Sequence, residues 1–290
     1  MSSTPNQRQF DTTRLPRPQH LRWQDLVALR RHEVALNLGL SAPWLTASLW
    51  AASQGWFLLA ALCSGAFFLT GLRQAHDCYH ASIGVPRQWL DLMLLVLTLT
   101  MLCATHAIRH THLEHHKNSL GEDDAEGRWA RQSAWRALVL GPLFSIRTHA
   151  QALHSGSANT RRWTWIELAL IAGVWALAIL SGPLWLRYHV IAMMTANALV
   201  GFFAVWSVHH GCEADGVFAR SERRRWCNWL TVNLLFHVEH HLFPAVPANH
   251  LPTLALRLDA AAPQWRGKPV LGKAFGAARQ QPTPAASTQP

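Results

Sequence analysis

Eighteen of the 290 residues are histidine, and ten of these fall into four short clusters. Histidines three or four positions apart share one face of a helix, with Cβ atoms about 5–6 Å apart, so their imidazoles can converge on one metal ion or on two adjacent ions. The clusters read HDCYH, HLEHH, HH and HVEHH, and their histidines are His76, His80, His112, His115, His116, His209, His210, His237, His240 and His241. This spacing predicts metal binding.

The number of histidines indicates more than one ion. One HxxxH pair, two HxxHH triplets and one member of the HH pair make about nine imidazoles, whereas a structural zinc ion takes four ligands. Imidazole suits iron, copper and zinc alike, so the ligand type does not choose the metal. The five cysteines form no CxxC pair, and we interpret them as reduced thiols: Cys63, Cys78, Cys103, Cys212 and Cys227.

The adjacent pair His209–His210 leaves a choice open. Neighbouring side chains on a helix point about 100° apart, so we expect only one of the two to reach a shared centre. Each cluster alone could be an ordinary polar face. The prediction of metal binding depends on the four clusters occurring together on one side of a membrane.

The elements that position these clusters are predicted to be membrane helices. Only 14% of the residues are charged, against roughly 25% in an average soluble protein. No Asp, Glu, Lys or Arg occurs between Val34 and Leu72, a length sufficient for two crossings at about 20 residues each. We predict crossings at residues 34–53, 54–75, 163–181 and 184–208. A membrane setting favours redox chemistry on an apolar substrate, and therefore iron.

The distribution of basic residues predicts the orientation. With these four crossings, 25 of the 26 Lys and Arg residues lie on one side, and Arg187 is the exception. The positive-inside rule makes that side cytoplasmic, so both termini and all four histidine clusters are predicted there. The net charge of +10 is scattered between apolar runs, which suits a lipid surface and gives no indication of a nucleic-acid partner.

The remaining segments complete the predicted fold. A crossing at residues 92–108 would put histidine clusters on opposite sides, so we expect a re-entrant or protein-buried helix there. Residues 133–154 are predicted to form an interfacial helix. Residues 1–33 form a basic cytoplasmic leader, 34–262 the membrane domain, and 263–290 a tail with a disordered composition. The predicted class is an all-α integral membrane protein with four transmembrane helices, re-entrant and interfacial helices, and a cytoplasmic helical cap carrying the clusters.

Three of the histidine-containing stretches resemble motifs of a known protein family. HDCYH, HLEHHKNSLGEDDAE and HVEHHLFPAVPANHL resemble the three histidine boxes of the integral-membrane fatty acid desaturase superfamily, in the family order, and the resemblance covers roughly residues 35–255. It implies that the eight box histidines hold two iron ions at the cytoplasmic face of four membrane helices, with O2 as co-substrate. His209 or His210 matches the additional ligand of the family.

Neighbouring polar residues are expected to support the ligands, because metal-bound histidines usually donate their second N–H to a carboxylate or carbonyl. Asp123 and Asp124 could instead form a solvated loop. We predict this supporting role for Asp77, Asp123, Asp124, Asn233, Glu239 and His250.

The resemblance implies an O2-dependent desaturase of a fatty acyl chain. The alternative is a hydroxylase, ketolase or alkene-forming decarboxylase of another apolar substrate on the same scaffold. No cytochrome b5 module or ferredoxin-like motif occurs in the sequence, so we expect a separate electron donor of the ferredoxin, rubredoxin or cytochrome b5 type. Four arginines could attract an acidic donor, or could bind anionic lipid: Arg220, Arg223, Arg224 and Arg225.

A metal transporter is a less favoured alternative. Transporters hold their polar ligands near the middle of the bilayer, whereas these histidines collect at one predicted interface.

Overall fold

The computed structural model describes residue 18, residues 20–212 and residues 218–271. Helices dominate, and the described residues contain no β-strand beyond two isolated bridges. This confirms the all-α class. In chain order the helices are α1 (Arg31–Gly39), α2 (Ala42–Ser53), α3 (Phe57–Tyr79), α4 (Arg87–Met101), α5 (Thr105–Asn118), α6 (Gly127–Ala130), α7 (Ala134–Val139), α8 (Gly141–Ser155), α9 (Ala158–Leu180), α10 (Leu184–Val200), α11 (Ser207–His209), α12 (Arg225–Leu230), α13 (His237–Leu242) and α14 (Leu251–Ala261).

Three helices are long and apolar enough to cross a membrane. They are α3 and α9, with 23 residues each, and the 26-residue run from Leu184 to His209 that joins α10 to α11. At 1.5 Å per residue, each exceeds the roughly 30 Å of a bilayer core. The pair α4–α5 also passes the test of length and composition, but it bends by 110°. The described chain therefore has three candidate spans, or four if the bent pair counts as one.

The first predicted crossing, at residues 34–53, differs from the structure. The helix stops at Gly39 and restarts at Ala42, with Pro43 in its first turn. The 12 residues of α2 extend only about 18 Å, too short for a bilayer core. Instead, α2 packs against α3, where the Ser48 and Ser64 hydroxyls lie 2.7 Å apart.

The predicted helix at residues 92–108 is divided between α4 and α5. Met101 ends α4, Leu102 takes a left-handed conformation with φ 53°, and α5 begins at Thr105. The resulting bend has the geometry of a broken span or a re-entrant loop, in line with the prediction that this segment does not cross as one straight helix. The predicted interfacial helix at 133–154 is likewise divided into α7 and α8.

The cap consists of the chain around α12–α14 with part of the predicted leader packed on it. Trp23 packs on Phe243 with ring centroids 5.3 Å apart, and Arg257 forms an ion pair with Asp25 at 2.7 Å. The first residues of the predicted tail, 263–271, are described and contact the cap: the Ser221 amide donates to the carbonyl of Lys268 at 3.0 Å. The rest of the tail, 272–290, and residues 1–17 and 19 of the leader lie outside the described residues.

Candidate metal centre

Helices α3, α5, α11 and α13 bring histidines from all four clusters to one place. Two groups are tight enough to hold an ion, because the ligand atoms within each lie no more than 4.8 Å apart. The first group contains His76, His80, His112 and His240. The second contains His115, His209 and His241.

Two further predicted ligands, His237 and His116, complete the arrangement. Nε2 of His237 lies 2.9 Å from Nε2 of His209 and 3.2 Å from Nε2 of His241, which joins it to the second group. Nε2 of His116 lies 2.9 Å from Nε2 of His240, while its ring stacks on His241 with centroids 4.2 Å apart. His116 therefore stands between the groups, and nine of the ten predicted histidines converge.

His210 is the exception, and its position bears on the choice that the sequence left open between the two adjacent histidines. Its ring stacks on Trp206 with centroids 3.9 Å apart, and its Nδ1 lies 2.9 Å from the Trp206 carbonyl oxygen. His209 is buried inside the cluster, while His210 is partly exposed outside it. The physical reason lies one turn earlier, where Gly201–Trp206 form a π-helix. A π-helical turn has a wider hydrogen-bonding step than an α-helical turn and shifts the register of the residues that follow.

The hydrogen-bond partners of the rings indicate that the cluster fits a bound cation. Nδ1 of His209 lies 2.7 Å from the Phe218 carbonyl oxygen, which can only accept, so Nδ1 carries the proton. Nδ1 of His115 lies 2.6 Å from an oxygen of Asp124 and donates to it in the same way. In a neutral imidazole the other nitrogen then presents a lone pair. The two Nε2 atoms face each other at 3.1 Å, so two lone pairs meet in a buried place where a metal ion would satisfy both.

The same pattern repeats in the first group. Nδ1 of His112 lies 3.2 Å from an oxygen of Glu126, and its Nε2 faces Nε2 of His80 at 3.1 Å. Burial lowers the pKa of each histidine in HVEHH well below 6.5, and neighbouring histidines lower it further. These rings are neutral near pH 7, as metal ligation requires.

Asp124 lies where the sequence predicted a supporting carboxylate. It is buried and accepts four hydrogen bonds, from Nδ1 of His115 and from the amides of Leu120, Glu126 and Gly127. Burial alone would raise its pKa. In the metal-free protein the positive charge of protonated His115, its hydrogen bond and the backbone amides outweigh burial and lower the pKa from 3.8 to about 2. Asp123, in contrast, is exposed and shows the solvated-loop alternative.

Glu126 is a supporting residue that the sequence reasoning missed. It is buried and accepts from His112 as described above, and from the Thr111 hydroxyl at 3.3 Å. The only signal in the sequence was its place in the acidic stretch GEDDAE after HLEHH. Spacing does not reveal which of the four acids in that stretch turn inward.

The other predicted supporting residues hold the loop after HVEHH rather than a histidine ring. An oxygen of Asp77 accepts from the Ala248 amide at 3.3 Å, and the Asn233 side chain donates to the Ala248 carbonyl at 3.1 Å. The ring of His250 contacts the Leu26 carbonyl at 2.7 Å and Glu33 at 3.0 Å. Their positions differ from the prediction because the chain after α13 turns back over α3.

Glu239 also differs from its predicted position. Its carboxylate accepts from the Ser221 hydroxyl at 2.6 Å and from the Arg223 guanidinium at 2.5 Å. Arg223 in turn pairs with Asp259 at 2.7 Å. Glu239 lies on the face of α13 opposite the rings and ties this short helix to the cap.

Another buried carboxylate, Glu167 on α9, fixes the start of α5. It accepts from the hydroxyls of Thr98 and Thr105 at 2.7 and 3.1 Å, and from the backbone amide of His106 at 3.1 Å. Nδ1 of His106 lies 2.7 Å from the same carboxylate, and its ring stacks on Trp163. Glu167 thus caps, from a neighbouring helix, the helix that carries HLEHH. An ionisable residue inside a membrane helix is rare and usually functional.

Comparison with known proteins agrees with this geometry. A similar curated protein is a beta-carotene ketolase from a Paracoccus species, 26% identical over 199 residues that cover 64% of this chain and 74% of the ketolase. The family model described as fatty acid desaturase matches residues 48–270. This match includes all four histidine clusters and extends over more than half of the sequence, so the chain belongs to the fatty acid desaturase family.

Proposed function

We propose that this protein is a membrane-bound, O2-dependent oxidoreductase with two iron ions. The observation that carries the proposal is the pair of adjacent histidine groups whose Nε2 lone pairs face one another. Bound iron would supply the activation of O2 and the oxidation of an unactivated C–H bond. Iron is the metal that the family implies, and the all-imidazole donor set accepts it.

The proposed ligand sets follow the two groups. His76, His80, His112 and His240 would hold one ion, and His115, His209, His237 and His241 would hold the other. His116 lies between the sets. Asp124 and Glu126 would keep the protons of His115 and His112 on Nδ1, which leaves the Nε2 lone pairs free for the ions.

Desaturation of a fatty acyl chain is the first candidate reaction. A CH2–CH2 unit, one O2, two electrons and two protons give CH=CH and two waters. The electrons require a separate donor of the ferredoxin, rubredoxin or cytochrome b5 type. The family to which the chain belongs supports an apolar, chain-like substrate, and the exposed apolar faces of the candidate spans support its delivery from a bilayer.

Ketone formation is the second candidate, favoured by the similarity to the Paracoccus ketolase. A CH2 group would be oxidised twice. The two rounds consume two O2, four electrons and four protons and give C=O and three waters. The histidine geometry serves both reactions, so the substrate decides between them.

We also propose that both termini and the metal centre face the cytoplasm. The support is the path of the first helices and the distribution of basic residues. Asn37 at the end of α1 contacts Arg73 and Gln74 near the histidine end of α3, so α2 runs from that end to the turn before α3. With the leader at the histidine end, Arg187 is the one basic residue of the sequence that lies at the opposite end of the crossings. The residue follows the turn between α9 and α10, away from the histidine groups.

Mass spectrometry of lipids from cells that express the chain tests the reaction. His240→Ala removes a member of the first histidine group, and His210→Ala is the matched control because His210 lies outside both groups. A product lighter than its parent by two hydrogens, lost only with His240→Ala, supports desaturation. A product heavier by one oxygen, or by one oxygen less two hydrogens, supports hydroxylation or ketone formation. A purified protein without iron, with products unaffected by His240→Ala, would contradict the proposal.

A further inference from the structure

An open hollow of about 290 Å³ lies beside the candidate metal centre, where the end of α3, the start of α4 and the middle of α5 meet. His80 lines it together with Arg87 and Arg109. His80 is partly exposed, whereas His112 and His240 of the same group are buried. The hollow therefore exposes one edge of the first histidine group, the ring of His80, at the surface of the protein.

The two arginines give the hollow a positive charge. Arg87 is exposed. The side chain of Arg109 is 32% exposed, and its contact to Asp91 is long, at 3.9 Å, with Asp91 itself 48% exposed. An exposed pair at this distance is screened by solvent. Both guanidinium groups are therefore available to an anionic partner.

The arginines of the cap, which the sequence suggested as a donor surface, are mostly engaged within the chain. Arg220 donates to the carbonyls of His210 and Pro269. Arg223 is held by Glu239 and Asp259 as described above, and Arg224 pairs with Glu222 at 2.7 Å. Their charges are largely satisfied by partners in the cap, so they are poorly suited to bind a second protein.

We propose that the hollow at His80 is the docking surface for an acidic electron-transfer protein, with Arg87 and Arg109 pairing with carboxylates on that partner. The inference rests on the proposed function, which needs an external source of two electrons for each O2. Docking here would bring the partner's redox centre to the exposed edge of a proposed ligand. The net charge of +10 adds a long-range attraction, which raises the association rate at low salt.

Binding to a plant-type [2Fe–2S] ferredoxin, measured by surface plasmon resonance on the detergent-solubilised full chain, tests the proposal. The variants are Arg87→Glu alone and Arg87→Glu with Arg109→Glu. The matched control is Arg225→Glu, which reverses an exposed arginine of the cap. Cytochrome c serves as a basic redox protein that should not bind. Iron content and thermal unfolding confirm that each variant is intact, and binding requires no turnover.

The double variant is expected to weaken ferredoxin binding at least about tenfold at low ionic strength, with Arg225→Glu changing it less than about twofold. The difference should shrink in about 0.5 M salt, where the Debye length falls below about 5 Å. Equal losses in the double variant and in Arg225→Glu would overturn the proposal. It would also be overturned if the double variant bound ferredoxin normally but lost binding to phosphatidylglycerol vesicles, which would assign the arginines to lipid. A protein without iron that still bound ferredoxin at the hollow would refute the proposed function and leave the docking surface standing.

Discussion

Asp124→Asn tests whether the carboxylate behind His115 controls the metal site. Each oxygen of Asp124 accepts two hydrogen bonds: one from His115 and the Leu120 amide, the other from the amides of Glu126 and Gly127. Asparagine replaces one oxygen by NH2, which then faces two donors in either orientation. Two buried donors lose their acceptor, at about 1–3 kcal/mol each. The expected loss is about 2–6 kcal/mol, a large share of the roughly 5–15 kcal/mol that stabilises a domain.

The lowered pKa of Asp124 also makes a separate, pH-dependent contribution to the stability of the metal-free protein. A carboxyl whose pKa falls from 3.8 to about 2 on folding adds about 2 kcal/mol of stability at neutral pH. Because the folded-state pKa is the lower one, this contribution is present above pH 3.8 and is lost as the pH falls towards 2.

Asp124→Asn could avoid part of this loss of stability by a change in the tautomer of His115, but that change would destroy the metal site. His115 can move its proton to Nε2 and accept a hydrogen bond from the new amide through Nδ1. Nε2 would then point an N–H at His209 and could not bind a metal ion. Loss of such a supporting partner typically lowers metal affinity about 10–100-fold.

The assay is the iron-to-protein ratio after dialysis against a competing chelator, together with thermal unfolding of the metal-free and loaded forms. Asp123→Asn is the matched control, because it makes the same chemical change at the exposed neighbouring residue. Asp124→Asn should lose iron, stability or both, and Asp123→Asn neither. If the two variants hold iron equally and unfold at the same temperature, the assigned proton positions are wrong.

Three other predictions follow from the same geometry. His209→Ala should lower the iron content, because it removes a ring whose Nε2 faces the Nε2 atoms of two other histidines. His210→Ala should leave the iron content unchanged. If elemental analysis found less iron in His210→Ala than in His209→Ala, the register set by the π-helix would be contradicted. Glu167→Gln should lower iron occupancy and alter the Mössbauer spectrum, because the neutral amide cannot accept all four hydrogen bonds that cap α5. The control is Ser48→Ala, which removes a buried hydrogen bond between α2 and α3 and should lower stability without changing the Mössbauer spectrum. Equal spectra for the two variants would contradict a role of Glu167 in positioning the histidines of α5. Finally, the metal-free protein should lose stability as the pH falls below about 6.5. Burial lowers the pKa of the histidines in HVEHH, so protons bind the unfolded chain in preference to the folded one. A melting temperature that rises on acidification from pH 8 to 5.5 would refute this.

The sequence by itself determined the family of the chain and its broad architecture. The HxxxH and HxxHH spacings place imidazoles on one helical face, whatever surrounds them. Long uncharged runs require helices in a membrane, because a bilayer leaves backbone groups no other partner. Local rules of this kind act within one or two turns, and they sufficed to predict that the histidines of each cluster share a helical face and that the fold is all-α.

Tertiary structure decided what depends on residues far apart in the chain. The bend after Met101 carries no Gly or Pro, and Glu167, more than sixty positions away, caps the helix that follows it. Asp124 and Glu126 turn towards histidines while Asp123 faces solvent, which only the path of the loop determines. The choice between the two adjacent histidines was also beyond the sequence. It depends on a π-helical turn, whose wider step is held by packing against neighbouring helices and leaves no pattern in the residues themselves.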